Sequence, residues 1–229
     1  MKFDFGGKTA LVTGASRGIG KQIADDLEAL SCKVIRLSKR DFDLSNLAAV
    51  EVGIREITAN NNKIDILINN AGINIISNIE DTSFENFHRV MTVNLTAVFL
   101  INKAIIPLMK KHGYGRVLNV SSIYGSISKA GRLSYSASKH GLMGISKTMG
   151  IELAKHNILT NCISPGFTKT DLTMSVLSKQ EVEELSAAIP IGRLATTKDI
   201  SNAAVFLVSN LNTYITAQNI IVDGGHVNV

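Results

Sequence analysis

Short apolar runs alternate with amphipathic stretches along the whole chain. Residues 8–13 (KTALVT), 33–37 (KVIRL), 64–68 (IDILI), 116–120 (RVLNV), 158–163 (ILTNCI) and 220–223 (IIVD) read as strands. Their nearly continuous apolar character is that of strands covered on both faces, as in a parallel sheet wrapped by helices. Between them, residues 19–30, 84 to about 111, 134–155 and 198–209 carry helical spacing. Ser45-Asn46 offers an N-cap for a further helix of about fifteen residues that ends in the Asn60-Asn61-Asn62 cluster. Pro107 is expected to interrupt the 84–111 helix near its end. Residues 164 to about 189 are polar and rich in Ser and Thr, and yield no element by periodicity. No repeat, low-complexity tract or linker divides the pattern. Residues 1–229 therefore read as a single α/β domain with a Rossmann-like, doubly wound parallel sheet.

Composition narrows the class without naming a function. The chain has 229 residues, 45% hydrophobic and 19% charged, which excludes disordered, collagenous and coiled-coil proteins. Cys32 and Cys162 match no metal spacing and read as reduced core thiols, and no metal site is expected. No stretch approaches 18 uninterrupted apolar residues, and Met1-Lys2-Phe3-Asp4 does not open a signal peptide. A soluble cytoplasmic protein without a membrane partner is expected. The net charge of +5 is scattered over short pairs such as Lys39-Arg40 and Lys110-Lys111, with no basic run or interleaved aromatics, so nucleic acid is not an expected partner.

The first candidate chemistry follows the first strand directly. Gly14, Gly18 and Gly20, with Ser16, Arg17 and Ile19 among them, open the first helix. Glycines there let the chain turn tightly and bring backbone N–H groups against a phosphate, towards which the helix N-terminus also points about half a positive charge. The end of the second strand selects between nicotinamide dinucleotides: an acidic residue binds a ribose 2′-OH, a basic one accommodates a 2′-phosphate. This chain offers Ser38-Lys39-Arg40 there, with Arg17 in the glycine loop. NADP(H) is expected over NAD(H).

Tyr135 and Lys139 lie four residues apart in a helical stretch, so their side chains share a face. A phenol titrates near 10. An ammonium about 4 Å away favours the phenolate by up to about 4 kcal/mol at an effective dielectric near 20, or roughly three pKa units. Ser122 follows the strand at 116–120, at the carboxyl end where parallel sheets bind ligands, and its hydroxyl can stabilise a developing oxyanion.

Together, residues 13–20 (TGASRGIG), 65–72 (DILINNAG), 93–95 (VNL), 120–122 (VSS), 135–139 (YSASK), 164–166 (SPG) and 214–225 (YITAQNIIVDGG) resemble the short-chain dehydrogenase/reductase family. The resemblance spans about residues 8–225. It implies Tyr135 as the general acid that protonates a carbonyl oxygen, and Lys139 as the group that lowers its pKa and holds the nicotinamide ribose. It implies that Ser122 polarises the carbonyl and that Asn94 holds a water linking Lys139 to solvent. Asn70, Ala71 and Gly72 would pack beside the adenosine ribose, with Asp43 and Leu44 near the adenine. Pro165, Gly166 and Thr168 would line the nicotinamide and open a mobile segment over the substrate. A homotetramer or homodimer built on the two long helices and the last strand is also implied.

Residues 13–20 and 135–139 are most similar to those of 3-oxoacyl-acyl-carrier-protein reductases, so the expected substrate is a 3-oxoacyl thioester. A free ketone, sugar or polyol is the alternative, and a non-catalytic nucleotide sensor is a third reading that the Ser122, Tyr135 and Lys139 set disfavours. Substrate choice is assigned to Ile123, Tyr124, Ser128 and residues 168–177. Gly113 and His156 stand where those reductases tend to carry basic residues for docking the carrier protein, which leaves Lys110, Lys111, His112, Arg116 and Lys155 as substitutes. Ala217 replaces the usual glycine of the closing motif.

One departure concerns the fold. The family normally inserts a helix and a third strand before the Asp-Leu pair, yet only four residues separate Ser38 from Asp43, and a crossover needs at least about 10–12. Six strands are expected, in the order 2-1-4-5-6-7 by the family's strand names. The second strand would be an exposed edge, protected from stray pairing by Lys39 and Arg40.

Overall fold

Ala10, Leu11 and Val12 are wholly buried between two helical layers, and this fixes β1 (Thr9–Thr13) at the centre of the fold. The computed structural model describes residues 3–175 and 178–229. Met1-Lys2, part of the N-terminal reading above, and Val176-Leu177, part of the expected specificity segment, lie outside the described residues. β1 is joined by β2 (Lys33–Leu37), β3 (Ile66–Asn69), β4 (Gly115–Val120), β5 (Ile158–Pro165) and β6 (Asn219–Val222). All pairings are parallel and the order is β2-β1-β3-β4-β5-β6, as expected, with no strand between Leu37 and the next helix. The chain leaves β1 for β2 on one side and reaches β3 on the other, so the switch point where open α/β sheets bind ligands lies between β1 and β3.

The helices are α1 (Gly18–Ala29), α2 (Leu47–Asn60), α3 (Phe84–Met91), α4 (Ala97–His112), α5 (Leu133–Leu153), α6 (Asp171–Met174), α7 (Lys179–Ala187) and α8 (Thr197–Val208). α1 and α8 bury Ile23, Leu27, Ala204 and Val205 against one face of the sheet. On the other, α2, α4 and α5 bury Ile54, Ile101, Ile105 and Leu153. Asn46 caps α2 by accepting from the Ala49 N–H at 3.1 Å. The polar stretch 164–189 holds α6 and α7, which periodicity alone does not reveal because α7 has no buried residue.

Three details correct the sequence reading. α4 runs through Pro107 to His112 without interruption; Pro107 is exposed, so the carbonyl freed by its missing N–H faces water. The break in that long helix is instead a π-helical turn at Thr92–Thr96. The whole span Phe84–His112 is long and apolar enough to cross a membrane, but half of its most apolar window is buried in the domain. The β2 edge is guarded by Arg36, paired with Asp25 and Glu28 at 2.7 and 2.8 Å, and by Lys33, which donates to Asn61, rather than by Lys39 and Arg40 beyond the strand's end. Arg116 is buried, donating to the carbonyls of Gly115, Asn157 and Asn212, and so cannot dock a partner.

Candidate active site

The glycine loop is pinned to the loop after β3 by direct hydrogen bonds. Thr13 Oγ1 accepts from the Asn70 and Ala71 N–H groups at 3.0 and 3.1 Å, and Asn70 Nδ2 donates to the Thr13 and Gly14 carbonyls at 3.1 and 3.2 Å. This close approach explains the glycines. A Cβ on Gly14, whose φ is +66°, would lie 2.9 Å from Ala71 Cα, and one on Gly20 would lie 2.2 Å from Asn70 Nδ2. Above the loop, at the switch point, lies a cavity of about 340 Å³. Gly14, Ser16, Arg17, Gly18 and Ile19 line it from one side, and Asn70, Ala71 and Gly72 from another. Ser38, Lys39, Asp43 and Leu44, beyond β2, close its far end. A cradle of backbone too tight for side chains, at a helix N-terminus, fits a pyrophosphate.

Where Gly72 ends this cavity, a second group of polar residues begins. A Cβ on Gly72 would meet Asn94 Oδ1 at 3.3 Å and Lys139 Nζ at 3.5 Å. Asn94 stands in the π turn, which frees its side chain to accept from the Ile73 N–H at 2.8 Å and to donate to the Ile73 carbonyl and to Ser138 Oγ. Lys139 is buried, donates to the Val120 carbonyl at 2.8 Å and stands 5.5 Å from the centroid of the Tyr135 ring. Ser122 lies two residues beyond the end of β4, where it caps a short turn by accepting from the Tyr124 N–H, and Tyr124 packs edge-on to Tyr135 at 6.4 Å. Ser122, Tyr135, Lys139 and Asn94 therefore gather at the carboxyl edge of the sheet, next to that cavity.

The comparisons with known proteins agree with this geometry. Residues 37–227 match a family model described as Enoyl-(Acyl carrier protein) reductase. The chain belongs to the short-chain dehydrogenase/reductase family. A 3-oxoacyl-[acyl-carrier-protein] reductase of Buchnera aphidicola subsp. Schizaphis graminum is 39% identical over 236 residues, covering 95% of this chain and 96% of the relative. A solved structure from Beutenbergia cavernae with NADP bound at low occupancy has a TM-score of 0.95 at 30% identity, covering 99% of each chain. A gluconate 5-dehydrogenase from Burkholderia cenocepacia J2315, in complex with NADP and tartrate, has a TM-score of 0.89 at 27% identity and covers 99% of this chain and 98% of its own. The protein is an NAD(P)-dependent oxidoreductase of this family.

In this short-chain dehydrogenase/reductase the electrostatics of the tyrosine and lysine depart from the sequence expectation. Burial pushes the Tyr135 phenol up, opposed by its hydrogen bond with Ser122, and burial pulls the Lys139 ammonium down to about 8. Desolvation, rather than the lysine's charge, dominates the protein alone, so both groups are held towards their neutral forms.

Seven expected cofactor residues do not line this cavity: Gly20, Tyr135 and Lys139, and also Arg40, Pro165, Gly166 and Thr168. Arg40 is exposed, with its backbone N–H bonded to Ser38 Oγ. Pro165 and Gly166 are bound into the sheet beside β6, and buried Thr168 pairs with Ala195. Phe42, Arg89 and Val93 line the cavity without having been named as site residues, and Thr170 and Asp171, expected to act in substrate choice, line it as well. Val93 opens the Val-Asn-Leu motif and was within reach of the sequence. Phe42 and Arg89 carried no local signal, because only the fold brings residues so far apart into one wall.

The Gly72→Ala variant tests the join between cavity and cluster. Its methyl must displace Asn94 Oδ1 by a few tenths of an ångström and comes into contact with Lys139 Nζ. Steady-state kinetics are expected to show kcat reduced about tenfold, the scale of a small misplacement of catalytic groups, with thermal unfolding unchanged.

Proposed function

We propose that the protein reduces the 3-oxo group of an acyl thioester with NADPH. The observation that carries this reading is the gathering of Ser122, Tyr135, Lys139 and Asn94 beside the dinucleotide cavity. When bound, the reduced nicotinamide supplies the hydride that reaches the carbonyl carbon. Tyr135 Oη gives its proton to the carbonyl oxygen, and the raised phenol pKa keeps that proton in place at neutral pH. The Ser122 hydroxyl donates to the same oxygen as negative charge develops on it. Lys139, cationic when a proton reaches Nζ, stabilises the phenolate left on Tyr135, and Asn94 anchors the path by which that proton is replaced. Hydride at carbon and proton at oxygen complete an alcohol.

NADP(H) preference is supported by Arg17 and Lys39 on the cavity wall and by the absence of an acidic residue at the end of β2. Beyond β2 the Asp41 carboxylate is taken up by the Ser38 N–H and hydroxyl, and Asp43 is held by the Ser45 N–H and by Lys39 at 3.1 Å, which lowers its pKa to about 2. Exposed Lys110, Lys111 and Lys155 support docking of an acidic carrier protein; Arg116 is excluded by its burial. Exposed Phe99 on α4, Ile151 on α5 and Ile221 on β6 support a homotetramer or homodimer through those elements. Two free, buried cysteines are consistent with the reducing cytoplasm.

The second reading, a sugar or polyol dehydrogenase, is favoured by the gluconate 5-dehydrogenase among the structural relatives. NADPH oxidation followed at 340 nm against acetoacetyl thioesters, diketones and keto-sugars separates the two. Turnover of the thioester is the expected result; turnover confined to sugars replaces it with the second reading.

A further inference from the structure

The adenosine end of the cavity is closed in an unusual way. With no third strand, residues 38–46 pass directly from β2 to α2, and the Phe42 ring settles on the backbone of Gly53. A Cβ on Gly53 would lie 2.4 Å from Phe42 Cδ1, so the helix can seat the ring only at a glycine. Phe42 stays half-buried and lines the cavity. Arg89 enters the same cavity from α3, one helical turn before Val93. It is exposed, and among the described residues no carboxylate pairs with it. Lys39, by contrast, is held by Asp43.

An aromatic ring and an unpaired planar guanidinium are the two surfaces on which a purine stacks best. The Asp43–Leu44–Ser45 segment, which lines the same cavity, offers backbone and carboxylate groups for the edge of a base. Building on the dinucleotide reading above, we propose that the adenine is clasped between the Phe42 ring and the Arg89 guanidinium. These two side chains replace the wall that a third strand would form, and Arg17 and Lys39 are left to the phosphates. The clasp reads the base, so it does not discriminate between the two dinucleotides.

Calorimetric titration of NADP+ and of NAD+ into the wild type and the Phe42→Leu, Arg89→Ala and Arg89→Lys variants tests this. Phe42→Leu and Arg89→Ala are each expected to raise Kd by roughly fivefold, by the same factor for both dinucleotides. Arg89→Lys keeps the charge but loses the plane and is expected to remain weakened. Loss confined to NADP+ would make Arg89 a phosphate ligand and overturn the clasp, as would full recovery by lysine or unchanged affinity in Arg89→Ala. Arg89 is a surface residue, so its variants carry the test even if Phe42→Leu fails to fold. A wild type that binds neither dinucleotide would instead refute the cofactor reading itself.

Discussion

Tyr135→Phe is expected to lower kcat by about a thousandfold or more, within the range that a general acid contributes, while leaving the Kd for NADPH unchanged. The substitution removes one oxygen and keeps the ring. That ring packs edge-on to Tyr124 and lies 5.5 Å from Lys139 Nζ, contacts that phenylalanine preserves. The cavity proposed for the dinucleotide is lined by other residues, so binding by fluorescence titration should not change. Burial raises the phenol's pKa, so the tyrosine carries its proton at neutral pH, which is the form that reduction consumes. The reverse oxidation needs the phenolate, and its rate is expected to climb with pH where the reductive rate does not. Retention of kcat in the phenylalanine variant would show that the proton comes from elsewhere, and the mechanism would fall.

What the sequence could and could not disclose has a physical pattern. The four-residue gap after Ser38 is too short for a crossover, so the absence of a third strand follows from chain length, while the order of the other six was implied by the family resemblance. The glycine loop was readable because a tight backbone contact has a residue-level cause, which the 2.2 Å approach at Gly20 makes explicit. Spacing placed Tyr135 and Lys139 on one face, yet spacing carries no information on desolvation, and desolvation sets the direction of both shifts. Burial likewise removed Arg116 from the surface cations. Phe42 and Arg89 are illegible for a different reason: their contribution exists only where α2, α3 and the loop between β2 and α2 converge. Pro107 misled because a helix tolerates proline on its solvent side.

Lys139→Met is expected to abolish turnover and yet to leave the protein more stable at pH 7. Lys139 Nζ is buried with one acceptor, the Val120 carbonyl at 2.8 Å, and no carboxylate among the described residues lies within ion-pair reach. Burial accordingly lowers its pKa from 10.5 to about 8. A cation whose folded-state pKa is depressed destabilises the fold wherever it must stay charged. The unfolded chain binds more protons than the folded one between about pH 8 and 10.5, so this group makes stability rise with pH across that window. Its penalty is fully present below about pH 8 and gone above 10.5. The shift corresponds to about 3 kcal/mol, from which the lost hydrogen bond to Val120 subtracts about 1 kcal/mol. Urea unfolding at pH 7 should therefore show the methionine variant more stable by roughly 1–2 kcal/mol, and that excess should shrink as pH approaches 10.5. A variant less stable than the wild type at pH 7, or an excess that does not vary with pH, would refute the account. The stability given up by holding an ammonium in that position is what the proposed catalytic role of Lys139 would cost the fold, in the sense that active-site residues trade stability for function.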